Sequence, residues 1–442
     1  MANVRPFRGT RYNTDKFENL DTVTTPPYDI ISPEEQDKFY AKSEHSIIRV
    51  DYGKEYDTDD ESNNRYTRGG AELKRWIDEQ TMIREDEPAF YIYEQIFSLN
   101  DGKPAHSLKG LLSLVELREF ADRVVLPHEF TISKAKTDRL NLMRATGANT
   151  SPVYSLYLDD EESIARLIEE NSEGAPDISF TSSTDDIEQH IWIIKDKGTI
   201  EKISNLFENK QVFIADGHHR YETALNYRRE RHEADGTPIG SADYDYIMMM
   251  LVSMTNSGLF VFPTHRLVRD IDGFDETLLI GSLTEQFVVS KIYFTEGDYS
   301  TIITDRLKNT VDEKLFALYT GKNYYYLLKL KDIDMARKAV PGDMSDAFKC
   351  LDVSILHNLI LERYLGIDEE NMRSQKNLVY TQSASEAIKA VQEGNFQCAF
   401  LINPTKLSEI REVALANEKM PQKSTYFWPK LVTGLVINKF ED

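Results

Sequence analysis

The stretch Gln211-Val212-Phe213-Ile214-Ala215-Asp216-Gly217-His218-His219-Arg220-Tyr221, continuing to Tyr227, decides how this chain is read. Its first five residues form a strand-like run, and Asp216-Gly217 is a turn signal. The segment after the turn lacks proline and glycine and spaces Tyr221, Ala224 and Leu225 along one helical face. A strand that turns through glycine into a helix aims backbone N–H groups at an anion. Gly217 has no Cβ, so the backbone can come close to a ligand. Two histidines and an arginine in the first turn suit a phosphate better than a carbonyl. The predicted phosphate set is Gly217, His218, His219, Arg220 and Thr223. The competing reading is a strand–turn–helix corner whose histidines cap and pack.

Working outward, the 442 residues allow two or three domains with a large core. Hydrophobic residues make up 40% and charged residues 29%, the balance of a soluble globular protein. The net charge of −22 argues against nucleic-acid and membrane-surface partners, which call for a basic face. A phosphate site would therefore be a local basic pocket in an acidic body. The two cysteines, Cys350 and Cys398, make neither a disulfide framework nor a zinc ribbon and suit a reducing cytoplasm. The N-terminus has no apolar signal core, and the longest apolar run, Tyr246 to Met254, is too short to span a bilayer. The expected location is cytoplasmic.

Toward the N-terminus, Pro26-Pro27-Tyr28-Asp29 reads as a stiffened loop. Ser32 and Pro33 open a helix. Ser46 to Asp51 is expected as a short strand. A helix is predicted from about Tyr66 to Met82, with Leu73, Trp76 and Ile77 buried. Asn100-Asp101-Gly102 is a turn between two strands. Met248-Met249-Met250 lie in an apolar run and read as core rather than as metal ligands. Toward the C-terminus, Asp352 is expected to cap a helix closed by Gly366, and Ser383 with Glu386 forms a capping box.

Other groups can do chemistry. His128-Glu129 follows Pro127 and reads as a base, a metal ligand or a salt-bridge partner. It is not a zincin motif, because no second histidine follows within one helical turn. Lys423-Ser424-Thr425 offers an ammonium and two hydroxyls, a set that suits phosphate oxygens or a surface turn. His265-Arg266 follows a strand end, where sites gather, and Arg49 is a further cation; these three are substrate-binding candidates.

Leu126-Pro127-His128-Glu129, Asp138-Arg139-Leu140 and Ile214 to Tyr221 together resemble the archaeal free serine kinases of the ParB/sulfiredoxin-like superfamily, in the same order. That likeness covers about Lys109 to Ala234. Over its full length the chain resembles a large, mostly uncharacterised prokaryotic family. The shared marks are Pro-Pro-Tyr-Asp, Pro-His-Glu, Asp-Gly-His-His-Arg-Tyr-x-Thr-Ala, Pro-Thr-His-Arg and a terminal Met-Pro-x-Lys-Ser-Thr-Tyr-Phe-x-Pro-Lys. Sulfiredoxins carry a reactive cysteine where His218 stands, and without that thiol sulfinic-acid repair has no nucleophile.

The resemblance implies a mixed α/β fold in which a central ParB/sulfiredoxin-like core, 109–235, is embraced by segments 1–108 and 236–442. It also implies phosphoryl transfer between ATP or ADP, with Mg²⁺, and free L-serine or O-phosphoserine. Glu129 would be the base beside His128, and Asp216 an orienting group or magnesium ligand. The alternatives are a phosphoserine phosphatase-like hydrolase, a nucleotide-binding regulator without turnover, and a metal hydrolase built on His128, Glu129, His218 and His219.

Overall fold

The computed structural model describes residues 1–99, 102, 105–131, 133–310 and 313–441; residues 100 and 101 of the expected Asn-Asp-Gly turn lie outside them. The architecture is mixed α/β, as the sequence pattern implies. The chain divides into two units. The first comprises Met1–Pro127, Thr131–Phe260 and Pro429–Asp442, the second His128–Phe130 and Val261–Trp428. This differs from three consecutive segments. The boundary expected at 108/109 falls inside the strand His106–Glu116, whose ladders to Phe90–Phe97 and Tyr246–Ser253 bind it into one sheet.

In the first unit, nine strands among the described residues form one mixed sheet. The order is Val125–Leu126, Val212–Asp216, Val153–Tyr157, Tyr246–Ser253, His106–Glu116, Phe90–Phe97, Glu188–Ile194, Ile178–Thr181, with Val4–Arg5 on His106–Glu116. Tyr246–Ser253 is buried along its whole length, Met248, Met249 and Met250 included. A near-continuous apolar run of that kind belongs in a strand covered on both faces. It lies parallel to Val153–Tyr157 and antiparallel to His106–Glu116.

Helix Pro33–Lys42 begins with the predicted serine cap, completed into a capping box by Glu35. Helix Arg65–Asp78 buries Leu73 and Trp76. Its Gly70 sits where a Cβ would stand 2.3 Å from the Ala145 carbonyl oxygen, so the missing side chain is what lets helix Ser133–Thr146 pack closely. The expected strand over Ser46 to Asp51 is instead the short helix Ile48–Asp51. A Cβ on Gly69 would stand 2.9 Å from the Val50 carbonyl oxygen. Close packing there overrides the strand preference of Ile47, Ile48 and Val50.

In the second unit, six strands form an antiparallel sheet ordered Phe287–Tyr293, Tyr324–Leu330, Leu315–Tyr319, Cys398–Leu401, His265–Val268, Leu378–Thr381. Asp352 is the first helical residue rather than the cap, which is Leu351. The helix Asp352–Leu356 widens into a π-helical turn, His357–Leu361, then continues as Glu362–Leu365 to a left-handed Gly366. Ser383 caps its helix through the Glu386 N–H at 3.2 Å, but the reciprocal bond of the box is absent. The Thr381 hydroxyl accepts the Ser383 N–H at 3.1 Å and donates to the Glu386 carboxylate at 2.8 Å.

Candidate functional site

The strand Val212–Asp216 lies between Val125–Leu126, to which it is parallel, and Val153–Tyr157, to which it is antiparallel. Its register shifts between Ile214 and Asp216, the kind of irregularity that re-aims a side chain at the end of a strand. Gly217 follows with φ +94°, and helix His218–Asp235 starts at once, burying Tyr221, Ala224 and Leu225 as predicted. The first bond inside the helix runs from the Tyr221 N–H to the Gly217 carbonyl at 3.0 Å. A helix leaves the N–H groups of its first turn without partners inside the helix, and Gly217 has no side chain to cap them. A Cβ on Gly217 would stand 2.8 Å from Arg220 Nε, because the guanidinium folds back over the turn.

Arg220 donates to the Ser151 hydroxyl at 3.3 Å and to the Pro152 carbonyl, and its Nη2 lies 3.9 Å from Asp216 Oδ1. Lys430 Nζ donates to Asp216 Oδ2 at 2.8 Å. Burial pushes the Asp216 carboxyl up, but Lys430 and Arg220 outweigh it and hold the group well below the usual carboxylate range. Both oxygens thus face cations, a poor arrangement for the expected magnesium ligand. Among the described residues no group of three His, Cys, Asp or Glu side chains is placed to hold a metal, so the metal-hydrolase reading finds no ligand set.

Burial also lowers the pKa of His219, with Glu222 and Asp29 opposing and Lys136 reinforcing. Lys136 Nζ and the Thr131 hydroxyl donate to Glu222 at 2.9 and 2.7 Å. Thr223 is fully buried, its hydroxyl 3.4 Å from the Lys136 carbonyl.

Three groups without a predicted role join this turn. Arg139 is buried, bonded to Asp138 and 3.4 Å from Asp51 Oδ1, and its guanidinium carbon lies 3.8 Å from the Tyr28 ring centre. Tyr28 is pushed up to about 12 by burial, which Arg139 and Arg220 oppose. A cavity of about 30 Å³ is lined by Arg139, Arg220, Thr150, Ser151, Thr223 and Asn149, among others. Tyr28, Arg139 and Lys430 all lie inside motifs visible in the sequence: Pro-Pro-Tyr-Asp, Asp-Arg-Leu and the final Pro-Lys. The sequence carries that signal, but not which member of each motif turns inward.

The second unit holds the other predicted residues except Arg49. Met420 N–H donates to the His128 carbonyl at 2.7 Å. The Lys423 N–H donates to Glu129 Oε1 at 3.0 Å, and His128 Nε2 lies 3.1 Å from the Thr425 hydroxyl. The Ser424 hydroxyl donates to the Pro421 carbonyl at 2.6 Å, and the Thr405 hydroxyl to the Ser424 carbonyl at 2.9 Å. Pro-His-Glu and Lys-Ser-Thr, 294 positions apart at Glu129 and Lys423, are thus tied together.

His265 and Arg266 follow the end of the strand Phe260–Phe262 across Pro263-Thr264, but they also open the next strand, His265–Val268, and are buried. His265 Nδ1 accepts the Ile402 N–H at 3.3 Å, and burial pushes this imidazole down to about 4. Arg266 donates to the Thr264 carbonyl and lies 5.1 Å from the Tyr380 ring centre. Arg49, in the first unit, donates to the Tyr40 carbonyl at 3.0 Å and stacks on the same residue's ring. No helix among the described residues is long and apolar enough to cross a membrane.

The chain belongs to the family described as a protein of unknown function (DUF1015), whose model matches residues 4–354. No curated protein matches it. Among solved structures, a free serine kinase in complex with AMP is similar at 14% identity and a TM-score of 0.33, over 73% of this chain and 92% of that one. A conserved hypothetical protein from Pyrococcus furiosus aligns at 13% identity and a TM-score of 0.32, over 73% and 95% of the two chains. SbnI with a C-terminal truncation, from Staphylococcus aureus, aligns at 10% and 0.35, over 74% and 87%.

Proposed function

We propose that this member of the DUF1015 family binds the phosphates of a nucleotide at the Gly217 turn and moves a phosphoryl group between ATP or ADP and a small hydroxyl compound, free L-serine or O-phosphoserine. One observation carries the reading. In a chain of net charge −22, a glycine held at φ +94° opens a helix N-terminus, where Arg220 and Lys430 share the single carboxylate of Asp216. Arg220 and Lys430 bring two cations to a helix start, where an anion such as a phosphate is favoured by the helix dipole and the N–H groups of the first turn. The cavity lined by Arg139, Arg220, Thr150, Ser151 and Thr223 supplies further donors beside that turn. The serine substrate rests on the motif resemblance.

In the kinase direction the substrate hydroxyl loses its proton to a base, its oxygen bonds to the γ-phosphorus, and the bond to the β-phosphate oxygen breaks, releasing ADP. The residues of the turn hold the phosphates and meet the charge that spreads over the transferred group, the main protein contribution in phosphoryl transfer. His219, kept neutral by burial, donates from one ring nitrogen without adding a second full charge. Glu129 is the proposed base by its place in Pro-His-Glu.

The test incubates the chain with L-serine and ATP or ADP in magnesium-containing buffer, and separately with O-phosphoserine and ADP or AMP. ³¹P NMR follows the interconversion. Serine-dependent formation of O-phosphoserine is expected. Nucleotide binding without conversion would make the chain a regulator. Phosphate release from O-phosphoserine with no nucleotide present would make it a hydrolase.

A further inference from the structure

The second unit contains a cavity of about 500 Å³, a size that takes a small organic molecule. Its apolar wall includes Val340, Met344, Phe348 and Met372. Methionines adapt to varied apolar shapes. Opposite in character are the carboxylates of Glu362, Asp368, Glu369 and Glu370, against the one guanidinium of Arg373. Arg373 is already taken by Glu369 at 3.2 Å.

Acidic residues are common in this chain, and their presence alone marks nothing. The informative member of the wall is His357. It opens the π-helical turn His357–Leu361, a feature that recurs at functional sites. It is 7% exposed, and its Nδ1 has no hydrogen-bond partner among the described residues. Its Nε2 lies 3.5 Å from Glu362 Oε2. Burial, with Arg266 in support, keeps the imidazole uncharged against the pull of Glu362, Glu369 and Asp368. A neutral ring with a buried, unpartnered Nδ1 places its one N–H on Nε2, toward Glu362. No lysine or arginine forms an ion pair with Glu362 or Glu370 among the described residues.

We propose that this cavity binds an organic cation: an amine whose N–H donors meet Glu362 and its acidic neighbours while an apolar body lies along Phe348 and the two methionines. Every residue of its wall belongs to the second unit. A ligand anion would be repelled by carboxylates that no lysine or arginine matches among the described residues, whereas an amine would be attracted to them.

The test uses the full chain and three probes of one shape: 4-phenylbutylamine, 4-phenylbutanol and 4-phenylbutanoate. Binding is followed by isothermal titration and ligand-observed NMR at pH 7.5. The amine should bind about tenfold more tightly than the alcohol, the usual effect of one charge-assisted hydrogen bond, and the acid not measurably. Glu362→Gln should remove most of the difference between amine and alcohol, while Phe348→Ala weakens both. Glu370→Gln, on an exposed side chain, gives a second reading should Glu362→Gln fold poorly, and should reduce amine binding by a smaller factor. Equal binding of the three probes, preference for the acid, no amine binding at millimolar concentration, or amine binding untouched by both Gln variants would each overturn the proposal.

Discussion

The two units handle their motif residues in opposite ways. At the Gly217 turn, two cations share one carboxylate and a helix opens through a glycine that bears no cap. Around Lys423 to Thr425, the motif groups bond to other pieces of the same unit: Glu129 to the Lys423 N–H, His128 to Thr425, Ser424 to Pro421. Cations gathered at a helix start mark a place suited to an anion. A closed set of hydrogen bonds marks a place that holds the chain. Motif membership alone does not separate these uses; the surroundings of each group do.

Glu129 is where that comparison breaks most easily, since it carries a catalytic proposal yet is tied like its neighbours. Glu129→Gln keeps an oxygen to accept the Lys423 N–H but cannot take a proton. Turnover should fall by about 10²–10⁴, the usual worth of a general base, with nucleotide affinity unchanged. Steady-state kinetics beside a nucleotide titration checks it. Normal turnover would return Glu129 to the class of fold ties.

The next largest effect is a difference in acid response. His265 of the second unit is held near 4, against 6.5 for the free group, chiefly by burial. Below pH 6.5 the unfolded chain takes up this proton and the folded one does not, so stability falls as pH drops toward 4, by about 3 kcal/mol in all. Asp216 of the first unit has a depressed pKa and loses its contribution only at lower pH still. NMR titration of His265, with urea denaturation between pH 7 and 4, follows this. A His265 resonance that titrates near 6.5 would remove the effect.

Arg220→Ala sharpens the comparison from the other side. It should weaken nucleotide binding by about 1–3 kcal/mol, the scale of a charge-assisted hydrogen bond. Unchanged affinity in the folded variant would deny the phosphate assignment. The smallest effect is expected for Gly217→Ala. The left-handed conformation costs an alanine about 1–2 kcal/mol, and its Cβ would displace the Arg220 guanidinium. A lowered Tm with weaker nucleotide binding is the expected pair of readings.

Much of the Gly217 turn is legible in the sequence itself. The run Val212 to Ala215, the turn at Gly217 and the apolar spacing of Tyr221, Ala224 and Leu225 announce themselves through local periodicity. Lys430 does not. Lys423 and Lys430 lie in one terminal motif with like chemistry, and only a contact across 214 positions selects Lys430 for Asp216. Arg49 sits on a helix and not on the expected strand for the reason that Gly69 supplies: a close approach between distant segments outweighs β-branched side chains. Removing everything after Asn417 is therefore no clean test of Lys423 to Thr425. It also deletes Leu435, Val436 and Ile437, which are buried in the first unit, and that unit should lose stability.

The first unit is assembled from three pieces of chain, one of them Pro429–Asp442. On a ribosome adding about 5–20 residues per second, roughly 8–34 s separate the emergence of Phe260 from that of Pro429. Through that interval the nascent sheet has its Asp216 but not the lysine that neutralises it. The Lys430–Asp216 pair at the Gly217 turn is thus completed late in translation, and a chain that stalls before Lys430 carries the Asp-Gly-His-His-Arg sequence without it.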